Sequence, residues 1–201
     1  MKASGGAIKM TEDYSLQYAK ENKKVLISSI TDGKEKEEEK TAIFMAGSPG
    51  AGKTEAAQTL TALNSNDAGL DLVLKKGYSF ILDGTFATSK VSQNIERALK
   101  KNYNVLVYYV YQDPFIAWDF TKKREEVEGR FVPKERFINA FFQSRKNLMQ
   151  VKKQFQEKVT INILVKDFQN TISDFLMDID NVELALPISY TKERLEEELH
   201  D

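Results

Sequence analysis

Residues Gly47-Ser48-Pro49-Gly50-Ala51-Gly52-Lys53-Thr54 fit the pattern G-x-x-x-x-G-K-[ST] at every defined position. The spacing has a physical purpose. The glycines let backbone N–H groups turn inward around phosphate oxygens, a lysine at position 53 reaches the outer phosphates, and the Thr54 hydroxyl is placed to ligate Mg²⁺. A helix that starts near Lys53 points the positive end of its dipole at the same anion. The flanks agree. Thr41 to Ala46 is an apolar run of strand length, and Thr54 to Leu63 is rich in helix formers.

Other residues could complete a site around bound phosphate. Asp83 ends the apolar run Phe80-Ile81-Leu82. There it could hold Mg²⁺ through water or act as general base toward a hydroxyl, or simply open an Asp-Gly turn. Thr85 either holds a substrate through its hydroxyl or closes that turn. Ser89 is expected to cap the following helix. Arg124 and Arg130 flank Gly129. They could neutralise a transferring phosphoryl group, or Lys122, Lys123 and Arg124 could form a solvated helix face paired with Glu125, Glu126 and Glu128. His200, the only histidine, lies in the tail, so no Ser/His/Asp system or multi-histidine metal site is expected. Trp118 reads as core.

Bulk composition narrows the class. The chain has 201 residues, 41% of them apolar and 29% charged, with a net charge of −1 and no cysteine. This is enough for one domain with appendages and excludes thiol chemistry. The net charge gives no reason to expect nucleic acid or an anionic membrane as partner. No apolar stretch approaches a membrane span, and the N-terminal residues have no apolar signal core, so a cytoplasmic location is expected.

The elements that must position these residues alternate. Thr11 to about Ile30 can be partly helical, and Asp32 to Lys40 is a charged linker. Residues 1–40 are therefore read as an N-terminal helical extension and linker, and 41–201 as the nucleotide-binding domain. After the first strand and helix, Leu70 to Lys76 is a short helix closed by Gly77. Tyr78 to Leu82 is a strand, Val91 to Lys101 a helix, and Asn104 to Tyr111 the strongest strand. Asp113-Pro114 starts a helix that stops at Gly129. Pro133 starts a long helix to about Phe155, with Phe137, Phe141, Leu148, Val151 and Phe155 as its apolar stripe. Thr160 to Val165 is a fourth strand, and Thr191 to Leu199 is helical. Such alternation predicts a mainly parallel sheet with helices on both faces and a ligand at the carboxyl ends of the strands.

Four segments together resemble the zeta toxin family: Phe44-Met-Ala-Gly-Ser-Pro-Gly-Ala-Gly-Lys-Thr54, Phe80-Ile-Leu-Asp-Gly-Thr-Phe-Ala87, Tyr109-Val-Tyr-Gln-Asp-Pro114 and Lys122-Lys-Arg-Glu-Glu-Val-Glu-Gly-Arg-Phe-Val-Pro133. The resemblance covers roughly Thr41 to Asp167. It implies an α/β fold, a P-loop kinase-like three-layer sandwich. It further implies transfer of the γ-phosphate of ATP or GTP, with Mg²⁺, to the 3′-hydroxyl of the amino sugar in UDP-N-acetylglucosamine, and an antitoxin protein as partner. On this resemblance Lys53 and Thr54 handle phosphates and metal, Thr85 contacts the sugar substrate, and Arg124 and Arg130 clamp the transferring phosphate.

The sequence departs from the family in one place. Members carry an extra strand ending in an aspartate-rich turn, and a long insertion, between the phosphate-loop helix and the Asp-Gly-Thr strand. Here only Asn64 to Gly77 fills that interval. Asp67 and Asp71 are available carboxylates, but neither follows an apolar strand. A deletion, a stretch of chain outside this numbering, or transfer of the base role to Asp83 would each account for the difference. Two other functions stay open: a nucleotide-binding protein without kinase activity that acts through a partner, and a regulatory GTPase. The last lacks an Asn-Lys-x-Asp guanine-reading motif.

Overall fold

The computed structural model describes residues 39–59, 67–169, 171–186 and 190–200. The expected helix of residues 11–30, most of the charged linker and residues 60–66 of the short interval before β2 lie outside them.

The sheet has five strands: β1 (Thr41–Ala46), β2 (Phe80–Leu82), β3 (Asn104–Tyr111), β4 (Val159–Lys166) and β5 (Ile172–Leu176). Their order is β2-β1-β3-β4-β5. The pairs β1–β2, β1–β3 and β3–β4 are parallel, and β4–β5 is antiparallel. β1 pairs directly with β2, Ala42 opposite Phe80 and Phe44 opposite Leu82, so no strand is missing between them. β2 is an edge among the described residues, with only three residues in its ladder. β3, rich in valine and tyrosine, is paired on both sides. It buries Val105, Val107, Tyr109, Val110 and Tyr111, which suits β-branched and aromatic side chains.

Helices flank this sheet: α1 (Lys53–Thr59), α2 (Asp67–Lys76), α3 (Val91–Leu99), α4 (Pro114–Glu128), α5 (Lys134–Phe155), α6 (Val182–Ala185) and α7 (Lys192–Glu198). Gly77 ends α2 at φ 78°, a left-handed turn that costs glycine nothing, and the amides of Gly77 and Tyr78 return to Val73 O. α4 begins where Asp113 accepts from the amides of Phe115 and Ile116 and Pro114 follows with no amide to lose. It ends at Gly129, φ 68°. α5 buries Phe137, Ile138, Phe141, Leu148 and Val151 along one face. Each such side chain contributes about 1.5–3 kcal/mol when taken out of water.

Ser89 does not cap α3. Lys90 holds the cap position with no side-chain bond to the helix amides, and exposed Ser89 sits in the turn before it. The chain reaches the helix through that turn, so the Ser89 hydroxyl stands one residue too early. The tail is fastened rather than loose. Leu195 and Leu199 are buried, the Trp118 indole on α4 donates to His200 O at 2.7 Å, and the Lys134 ammonium on α5 donates to Glu196 O and Leu199 O at 3.0 and 3.1 Å. His200 thus matters through its carbonyl.

Candidate nucleotide site

β1 delivers the chain to Gly47 beside β3, and the turn there needs glycine. Gly47 has φ 135°, and a Cβ on it would come within 2.4 Å of Val110 O. Gly50 has φ 73°, and a Cβ there would lie 2.0 Å from Ala117 O and 2.6 Å from Thr121 Oγ1. The loop is thus pressed against α4, the helix that carries Arg124. Gly47 N also donates to Thr85 O at 3.2 Å, which ties the start of the loop to the turn after β2.

A cavity of about 610 Å³ opens over this loop. Its walls include Gly50, Gly52, Lys53 and Thr54 from the loop, Asp83 from the end of β2, and Arg124 and Arg130 from α4 and the segment beyond it. Five residues predicted from separate parts of the sequence therefore meet around one space. Thr54 Oγ1 donates to Asp83 Oδ2 at 3.0 Å. A hydroxyl and a carboxylate held that close can share one Mg²⁺, the hard oxygen pair such an ion takes. Among the described residues no group of three or more His, Cys, Asp or Glu is arranged for a metal. A Mg²⁺ here would draw its remaining ligands from water and phosphate, as this ion commonly does.

Lys53 Nζ donates to Ser48 O at 2.6 Å beneath the loop. Burial of the ammonium lowers its pKa to about 8. The Asp83 charge opposes the shift and the Arg124 charge adds to it. A cation so poorly solvated gains most when phosphate oxygens replace the carbonyl.

The charged face of α4 carries ion pairs along the helix and also borders the cavity. Lys122 pairs with Glu125 at 2.8 Å and Arg124 with Glu128 at 3.2 Å, yet Arg124 also lines the cavity. Arg130 Nε lies 3.5 Å from the same Glu128 carboxylate. Glu128, Phe120, Thr121 and Lys123 line the cavity too. Sequence reasoning passed over them as site residues. The signal for Glu128 was its place four residues after one arginine and two before the other.

Thr85 does not line this cavity. It borders two others, of about 290 and 660 Å³. The smaller also contains Asp83, and the larger shares Pro49 and Val132 with the nucleotide cavity. Arg136, Asn139 and Gln143 project from one side of α5 into the larger space. Asp71 lines none of the three and pairs with Arg97 on the surface.

A mainly parallel five-stranded sheet with a phosphate loop after β1 and helices packed around it is the architecture of a P-loop kinase-like protein. The zeta toxin family model matches residues 27–68 and 63–179, and the chain belongs to that family. The two matched stretches overlap at residues 63–68. No curated protein matches the chain. Among solved structures, it is similar to one of the PezAT chromosomal toxin–antitoxin system of Streptococcus pneumoniae, with 15% identity and a TM-score of 0.58 over 93% of this chain and 87% of the other. It is also similar to AvrRxo1-ORF1:-ORF2 with ATP, at 13% identity and TM-score 0.55, over 95% and 82%. The native AvrRxo1-ORF1:-ORF2 complex matches at 14% identity and TM-score 0.53, over 86% and 69%. At these identities the likeness bears on the fold alone.

Proposed function

We propose that this protein is a kinase that transfers the γ-phosphate of ATP or GTP to a hydroxyl of UDP-N-acetylglucosamine or a related nucleotide sugar. The observation that carries the reading is the convergence of Lys53, Thr54, Asp83, Arg124 and Arg130 on the 610 Å³ cavity over the glycine loop. Phosphoryl transfer asks for positioning and charge neutralisation more than covalent chemistry. The loop amides and Lys53 grip the β- and γ-phosphates. Arg124 and Arg130 leave Glu128 for the γ-phosphoryl oxygens and neutralise the charge that spreads over them. Thr54, and Asp83 through water, would hold Mg²⁺, which would supply charge neutralisation for the phosphates.

The acceptor enters from the side of the 660 Å³ cavity, which meets the donor space at Pro49 and Val132. Its hydroxyl oxygen forms the new bond to the γ-phosphorus while the bond to the β-phosphate oxygen breaks. Among the described residues, Asp83 is the one carboxylate bordering both the donor cavity and the small cavity that holds Thr85. We assign the hydroxyl proton to Asp83, with any metal reaching it through water, and the sugar to Thr85. The family resemblance supplies the substrate. The ATP in the AvrRxo1-ORF1:-ORF2 structure supports a nucleotide ligand, and the toxin–antitoxin relative supports a protein inhibitor as partner. We take the cytoplasm as the site of action; no helix among the described residues is long and apolar enough to cross a membrane.

A second reading is favoured by Asp83 itself, whose Oδ2 is taken by Thr54, and by the lack of a carboxylate among the described residues lining the 660 Å³ cavity. On that reading the protein binds nucleotide and acts through a partner without turnover. ADP release measured with and without UDP-N-acetylglucosamine separates the two. Release that depends on the sugar and disappears in Lys53→Ala supports the kinase. Equal release without sugar rejects it, and Mg²⁺–ATP binding with no turnover leaves the second reading standing.

A further inference from the structure

The turn after β2 is held from two sides. On one side Thr85 O accepts from Gly47 N, the first amide of the phosphate loop. On the other stands Asn147, a buried residue of α5. Its Nδ2 donates to Phe86 O at 2.8 Å and to Thr88 O at 3.2 Å, while its Oδ1 accepts from Gln143 Nε2 at 2.8 Å. The two carbonyls leave only one orientation for the amide, since they need its N–H groups and Gln143 needs its oxygen. Between these anchors Phe86 takes φ 63°. A bulky residue in the left-handed region persists only where its surroundings over-determine it. The Phe86 ring is buried, and its carbonyl is one of the two that Asn147 holds. Thr85 Oγ1 in turn accepts from Ala87 N at 3.4 Å, a contact that does not use the hydroxyl proton.

We propose that Asn147 is a positioning residue for the acceptor. It fixes the strained turn Thr85–Thr88 so that the Thr85 hydroxyl stands at a set distance from the phosphate loop, and Gln143, on the wall of the 660 Å³ cavity, locks the Asn147 amide. The inference rests on the kinase reading for its functional part. Its structural part, that Asn147 holds this turn, is tested independently.

Asn147→Asp keeps the shape but sets a carboxylate against two carbonyl oxygens, and Asn147→Leu keeps the bulk and removes both donors. In the full-length protein, the KM for UDP-N-acetylglucosamine should rise about tenfold or more, further in N147D than in N147L, as the loss of two buried hydrogen bonds implies. The affinity for Mg²⁺–ATP should stay within about twofold of the parent, because Asn147 does not touch the phosphate loop. Amide exchange at residues 86–89 should speed up in both variants. Unchanged acceptor KM, or donor affinity falling by the same factor, would overturn the proposal. If the unsubstituted protein phosphorylates no nucleotide sugar, the kinase reading fails. Exchange at 86–89 then decides alone: faster in the variants supports the turn-holding role, and unchanged rejects it. If N147D does not fold, Gln143→Leu removes the prop on the amide, and because Gln143 also lines the acceptor cavity its readout is amide exchange at residues 86–89. A smaller change in the same direction is expected, and no change counts against the proposal.

Discussion

Substituting Gly50 by alanine tests whether the phosphate loop is seated on the helix that carries Arg124. Two costs add. Gly50 has φ 73°, where a Cβ is penalised by about 1 kcal/mol. The new Cβ would also stand 2.0 Å from Ala117 O and 2.6 Å from Thr121 Oγ1, where 3.4–4 Å is ordinary contact. Ala117 O is helix backbone and cannot rotate away, so loop or helix must shift, and overpacking of this kind costs about 1–3 kcal/mol. The sum is about 3 kcal/mol, a fall in melting temperature on the order of 6–12 °C for a chain of this size. Gly129→Ala is the internal control. Its φ is nearly the same, 68°, but a Cβ there meets nothing within 4 Å, so about 1 kcal/mol is expected. Gly84→Ala, with no neighbour within 4 Å and no positive φ, should be close to neutral. Urea or thermal unfolding gives the ranking, and calorimetry with Mg²⁺–ATP should find affinity lost in G50A and kept in G129A. If G50A and G129A unfold within about 0.5 kcal/mol of each other, the loop is not packed against α4 as described and the reasoning fails.

Two further outcomes follow from charges in the cavity. Lys53 has a pKa of about 8 in the free protein, and phosphate oxygens favour its charged form. Below pH 8 it is already protonated and affinity for ATP should be flat. Above pH 8 binding must take up a proton, so affinity should fall by up to about tenfold per pH unit. Calorimetry at pH 9 in buffers of different ionisation heat should read close to one proton taken up, and none in Lys53→Met. Glu128 competes with phosphate for Arg124 and Arg130, so Glu128→Gln should tighten ATP binding severalfold at low ionic strength and little in high salt. Equal or weaker binding at low salt would mean that the carboxylate orders the arginines for the phosphate rather than withholding them.

Much of the donor half is legible in the sequence because local chemistry writes it. The loop, the Asp113-Pro114 cap, the Gly77 and Gly129 stops and the apolar stripe of α5 each announce themselves through backbone rules that act over a few residues. For Arg124 and Arg130 the residues alone leave two readings open and only the family resemblance favours phosphate, since their ion pairs with Glu128 are as real as their place in the cavity. β5 was missed. Its residues Ile172 to Asp174 are exposed and lack a buried face, so no alternation marks it, and it is held by pairing with β4 and by Phe175 stacking on Tyr108 of β3. Asn147 was missed for the opposite reason. It reads as a polar residue in a helix, and its meaning comes from carbonyls about sixty positions away in the chain. The Ser89 cap was overcalled because a serine before a helix is a good local signal, but the turn that feeds α3 places the helix one residue later.

The way α7 is fastened to Trp118 and Lys134 sets an order on the making of this protein. Synthesis runs from the N-terminus, so the glycine loop and its lysine are on hand early. The helices on either side of Arg130 gain their strap only after about seventy further residues have left the ribosome. A nascent chain therefore has its phosphate loop well before it has the strap that steadies the segment carrying Arg124 and Arg130.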